Sequence, residues 1–187
     1  MGKQVVPIDF VDRGALTTGI RPISVIAADL NSDGALDLAS ADFGPFDDRG
    51  LDELSIFLGL GDGDFSQRRA LKTGDAPFSV IAADLNSDGA LDLASADRLS
   101  DELSIFFGLG DDDFSERRAL KTAGGPVSVI AADLNSDGAL DLASADSVSI
   151  ELSIFLGGVK VHRPGQWRLL TAKSSQDGGF SNLAHCR

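Results

Sequence analysis

The chain has 187 residues, 43% of them hydrophobic, and a formal net charge of −13. That length allows one domain or a short repeat array, and that apolar content excludes disorder for want of a core. The acidic balance excludes nucleic acid and anionic lipid surfaces as partners, because both demand Lys and Arg.

The N-terminus, MGKQVVPIDF, lacks the apolar core of a signal peptide, and no stretch of the chain reaches the length of a membrane span. The segment 1–23 leads into the first of three long repeats. Each repeat is anchored on the Ser that opens SVIAADLNSDGALDLASAD, namely Ser24, Ser79 and Ser128. The spacings are 55 and 49 residues. The difference falls in one place, ADFGPFDDRGLDELS against ADRLSDELS, as insertions confined to loops do. Phe10, Phe65 and Phe114 each stand fourteen residues before an anchor.

Within a repeat four short strands are expected. SVIAAD is rich in β-branched and small residues. LDLASAD alternates Leu with small or polar residues. ELSIFLG alternates, with Leu54, Ile56 and Leu58 on one side and Glu53, Ser55 and Phe57 on the other. FSQRRALKT is the most polar. Gly, Asp, Asn and Pro punctuate them, and no long 3.6-residue apolar period marks a helix.

Four strands in about 50 residues is one β-propeller blade. The fold expected is all-β, with three four-stranded antiparallel blades forming an incomplete ring. The innermost strand sits at a crowded axis, where Ala27, Ala28, Ala82, Ala83, Ala131 and Ala132 supply small side chains. The outermost strand is a wet edge, and Arg68, Arg69, Lys72, Arg117, Arg118 and Lys121 read as its solvated charges. The division expected is an outer strand of a preceding blade in 1–23, blades over 24–78, 79–127 and 128–176, and the start of a truncated fourth repeat over 177–187. The fourth rests on QDGGFSNLA, which places Ser181 as an anchor with Trp167 fourteen residues before it.

The nonapeptide DLNSDGALD carries the chemistry. It occurs unchanged at 29–37, 84–92 and 133–141, and it gathers nine of the 29 acidic residues into three short loops. Asp29, Asn31 and Asp33 place an oxygen on every second side chain. Gly34 permits a sharp bend, the Ala35 carbonyl adds an oxygen, and Asp37 closes the set. The same roles fall to Asp84, Asn86, Asp88, Ala90 and Asp92, and to Asp133, Asn135, Asp137, Ala139 and Asp141. Oxygen-only donors at this spacing form the first half of an EF-hand loop and select a hard cation, calcium rather than magnesium. The bidentate Glu of a complete EF-hand is missing, since Ser40, Ser95 and Ser144 stand at position 12. A tight turn would explain one or two of these residues but not four oxygen side chains at fixed spacing. About three Ca2+ per chain are expected, at the roughly 10⁻⁴ to 10⁻³ M affinity of extracellular modules.

With DLNSDGALDL leading into a strand and FGLGDDDF preceding the next copy, the chain resembles the FG-GAP/VCBS repeat family, to which the integrin α-chain propellers belong. The resemblance covers most of residues 10–184. It implies that the nonapeptide is a calcium loop between the first two strands of a blade. It also implies an extracellular or cell-surface setting and protein or glycan ligands. The eponymous Phe-Gly and Gly-Ala-Pro are degraded, with Phe78-Ser79 and Ser95-Ala96-Asp97 in their place, which points to the VCBS-like branch.

Three blades are too few for a closed propeller, which typically has four to eight. A fragment of a longer ring, a paired six-bladed ring and an open filament all follow from that count, with homo-oligomers or filaments ahead. No nucleophile and base pair stands out. The repeats contain no His or Cys; His162, His185 and Cys186 lie in the tail. The cluster Asp47, Asp48, Asp52 and Glu53 reads as a solvated loop. A non-catalytic binding or self-assembling scaffold is therefore expected, with an accessory or catalytic domain of a glycan-active enzyme as the alternative.

Overall fold

The structure, a computed structural model, describes residues 9–45, 51–110 and 112–158. Trp167, Ser181, the two His, Cys186, Asp47 and Asp48 lie outside these residues, as does everything expected of 177–187. The described residues form eleven strands. The first four are β1 (Pro22–Ala28), β2 (Asp37–Asp42), β3 (Glu53–Phe57) and β4 (Arg69–Lys72). The next four are β5 (Pro77–Ala83), β6 (Asp92–Asp97), β7 (Glu102–Phe106) and β8 (Arg118–Lys121). The last three are β9 (Pro126–Ala132), β10 (Asp141–Asp146) and β11 (Glu151–Phe155).

Three antiparallel meanders result, with strand orders β1-β2-β3-β4, β5-β6-β7-β8 and β9-β10-β11. The all-β, incomplete-propeller architecture expected from the repeats is what the chain adopts. The registers are copies of one another: Ile26 pairs with Ala39, Ile81 with Ala94, and Ile130 with Ala143. The anchor Ser residues lie inside β1, β5 and β9, two positions after Pro22, Pro77 and Pro126. Each Pro begins its strand, where a missing N–H disrupts the ladder least.

The sheets stack face to face, and the innermost strands β1, β5 and β9 neighbour one another in that order. Between the first two blades Ala39, Ala41, Leu54 and Ile56 meet Val80, Leu93 and Phe106. Between the second and third, Ala94, Ala96, Leu103 and Ile105 meet Val129, Leu142 and Phe155. Each blade thus has a leading face and a trailing face of fixed composition. Small Ala residues in the middle strands allow close sheet approach, while Leu and Phe fill the space further out. The expectation of one apolar side on ELSIF is too narrow. Ser55 and Phe57 are buried along with Leu54 and Ile56, and Ser55 is held by the Gly19 amide of the entering segment and by Asp42.

Two other expectations change. Residues 9–18 form no strand, and Phe10 and Val11 are exposed. An outer strand needs a third strand to pair with, and the described residues provide none before it. The basic edge is also not simply wet. Arg68 pairs with Glu53 and Ser55, and Arg117 with Glu102 and Ser104. Arg69 crosses to the next blade, donating to the Asp112 carbonyl and pairing with Asp113 at 2.6 Å.

Candidate metal centre

Each nonapeptide bridges the first two strands of its blade, so the two strand ends fix both ends of the loop. Inside the loop the side chains bend the backbone onto themselves. Asp29 accepts the amides of Asp33 (3.1 Å) and Gly34 (3.0 Å), one on each oxygen. Asn31 accepts the Asp33 amide at 3.1 Å, and Asp33 accepts that of Ala35 at 2.8 Å. The second loop repeats this with Asp84, Asn86 and Asp88, and the third with Asp133, Asn135 and Asp137. The bend requires a left-handed backbone at positions 4 and 6. Ser32 has φ 62° and Gly34 has φ 90°. A Cβ on Gly34 would meet nothing within 4 Å, so the backbone angle alone selects glycine there.

These amide bonds have a chemical consequence. They orient four oxygens of three side chains per loop while leaving each a free lone pair, since a carboxylate or amide oxygen accepts more than one partner. The Ala35 amide, then Asn31, hold the Asp33 carboxyl below the usual carboxylate range, so it stays ionised. Exposed, ionised, prearranged oxygen donors fit a hard cation.

Asp37 has a different environment from the other three. It is fully buried, and its two oxygens accept the amides of Leu30 (2.7 Å) and Gly59 (2.8 Å). Asp92 and Asp141 do the same with Leu85 and Gly108, and with Leu134 and Gly157. This aspartate therefore ties the loop to the end of the third strand of its sheet. Burial pushes the Asp92 carboxyl up to about 6, against the pull of the Gly108 and Leu85 amides and with further upward push from Asp88 and Asp84. Among the described residues no three His, Cys, Asp or Glu side chains are grouped as metal ligands. The loop's exposed or half-buried donors are two carboxylates and one amide, and the third carboxylate is fully buried.

Sequence reasoning missed a second polar cluster, also present three times. Asp42 accepts from Ser40 (2.8 Å), from Ser55, and from the Gly19 amide (2.8 Å). Asp97 accepts from Ser95, Ser104 and the Gly74 amide; Asp146 accepts from Ser144, Ser153 and the Ala123 amide. These aspartates anchor the segment that enters each blade to its second and third strands. Burial pushes the Asp97 carboxyl up to about 6, opposed by its serine and amide donors. The identical Ser-Ala-Asp ending in every copy was the available signal. The acidic cluster of the enlarged first loop is likewise not all solvated. Asp52 is buried and accepts the Gly44 amide at 2.8 Å, while Glu53 pairs with Arg68.

A family model for the FG-GAP-like repeat matches residues 29–95 and 84–144. Those matches take in all three nonapeptides and reach most residues of the two blade interfaces. Among curated proteins none matches the chain.

Proposed function

This chain belongs to the FG-GAP-like repeat family, and from that premise we propose that it is a calcium-binding, non-catalytic repeat module acting outside the cell as a binding or self-assembling scaffold. The observation that carries the reading is the threefold loop in which backbone amides preset the Asp29, Asn31 and Asp33 oxygens. Asp29, Asn31 and Asp33, with the Ala35 carbonyl, would hold the ion from the loop side. Asp37 would contribute through lone pairs that its two amide bonds leave free. Asp84, Asn86, Asp88, Ala90 and Asp92, and Asp133, Asn135, Asp137, Ala139 and Asp141, would hold the second and third ions. Bound calcium supplies charge neutralisation and a cross-link between the loop and the strand ends, so binding energy becomes folding energy. At about 1 mM calcium and the affinity of extracellular modules, that is about 0.4 to 1.4 kcal/mol per site.

Calorimetric titration of EDTA-stripped protein with calcium tests this. About three sites per chain and a raised melting temperature are expected, with one site lost in Asp33→Ala. Absence of both heat and stabilisation would mean that the loops are turns and nothing more.

A further inference from the structure

The two inter-blade contacts inside the chain are copies of one contact. In each, the leading face of one blade, which includes Ile26 or Ile81 and Leu54 or Leu103, packs on the trailing face of the next, centred on Val80 or Val129. Val80 and Val129 are each 2% exposed, and Leu54 and Leu103 are 0% exposed. Both faces recur at the ends of the array with no blade against them among the described residues, although Phe57 at the outer part of the first blade's trailing face is buried. On the first blade's trailing face Val25, in the register of Val80 and Val129, is 67% exposed, beside Ile23. On the third blade's leading face Ile130 is 53% exposed and Leu152, in the register of Leu54 and Leu103, is 67% exposed.

We infer that the leading face of the third blade of one chain seats on the trailing face of the first blade of a second copy. The occupant is a second copy because the chain twice makes this same contact within itself, with the same residues in the same register. Among the described residues, the surfaces seen to be complementary to either end are those of this chain's own blades. Such a contact is heterologous, and it closes when two copies meet at both ends, giving six blades, within the range of closed propellers. The inference rests on the scaffold reading and names its partner, but the contact is apolar and does not itself require calcium.

Sedimentation velocity on the full chain at tens of micromolar, with and without calcium, tests it through Leu152→Asp and Val25→Asp. Both positions are exposed, so both variants retain the wild-type circular dichroism spectrum. The wild type sediments as a dimer. Each variant alone sediments as a monomer, because each has lost one half of every head-to-tail contact. An equimolar mixture regains a dimer, since the intact leading face of Val25→Asp meets the intact trailing face of Leu152→Asp. A monomeric wild type would overturn the inference. So would a dimer abolished by Leu152→Asp but untouched by Val25→Asp, which marks contact between like faces. Three calcium sites on a monomeric chain would leave the metal reading standing and remove this one. A calcium-indifferent dimer with no binding heat would do the reverse.

Discussion

Gly108 has no room for a side chain. A Cβ there would overlap the Leu91 carbonyl, and Gly59 and Gly157 meet the Leu36 and Leu140 carbonyls in the same way. The close approach lets the Gly108 amide reach buried Asp92 at 2.9 Å. Gly89 differs: the space around it is open, but its φ of 94° strains any other residue. Gly108→Ala should therefore cost about 1–3 kcal/mol by overpacking, and Gly89→Ala about 1–2 kcal/mol by backbone strain. Urea unfolding in EDTA measures both. Both should also weaken calcium binding at the second loop, because Gly89→Ala strains its bend and Gly108→Ala presses on Leu91 and the amide that holds Asp92.

Asp97 makes a pH prediction at the same scale. Its carboxyl is pushed up to about 6 in the folded chain, mainly by burial, from 3.8. The folded state then binds the proton more tightly than the unfolded state. The penalty for the charged form is in full force above pH 6 and fades as pH falls toward 4. Between pH 7 and 4.5 this one group should restore about 2 kcal/mol of stability. Asp97→Asn should remove that part of the pH dependence. Its amide can keep an oxygen toward Gly74 and Ser104 and donate toward the Ser95 hydroxyl. Urea unfolding of both proteins in EDTA at the two pH values reads the difference. Parallel shifts of the two proteins would assign the pH dependence to other carboxylates.

At the scale of strands and blades, position in the stack decides stability. Every residue of β6 and β7 is buried, since the second blade is covered on both faces. β11 begins with two exposed residues, and β1 alternates exposed with half-buried ones. In a linear array each unit is stabilised by its neighbours, so the middle unit has two interfaces and each end unit has one. Amide exchange should accordingly be slowest in β6 and β7 and faster in β1, β9 and β11, read by mass spectrometry of peptides from each blade. Uniform protection would show that the three blades open as one unit. The same stacking explains what was legible in sequence. The strands of each blade and the bends at Ser32 and Gly34 depend on neighbours within a few residues, so the pattern displays them. The burial of Ser55 depends on Gly19 and Asp42, 36 and 13 residues away, and alternation in ELSIF cannot report it. The spacing that offers Asp37 as a ligand is local and legible, whereas its bond to Gly59 spans 22 residues and is not. Asp42 escaped notice for the same reason, since Ser55 and Gly19 reach it from 13 and 23 residues away.

For the whole molecule, charge is the quantity left unbalanced. A net −13 on 187 residues opposes compaction, and of the Lys and Arg side chains that offset it Arg69, Lys72, Arg118 and Lys121 lie on the outer strands β4 and β8. Among the described ion pairs, the one that crosses between blades, Arg69–Asp113, has both side chains well exposed. An exposed pair contributes only about 0–1 kcal/mol, so it does not answer the repulsion among the loops. Two things can: mobile counterions and bound cations. Added NaCl shortens the screening length to about 8 Å at 0.15 M, and three bound divalent ions would bring −13 to about −7. The two remedies act on the same repulsion, so they should not add. In EDTA the melting temperature should climb clearly between 20 and about 300 mM NaCl. With saturating calcium the chain should melt higher throughout, and the slope against NaCl should be visibly shallower. Equal slopes in the two conditions would place the repulsion outside the nonapeptides, and calcium would then stabilise the fold through its cross-link alone.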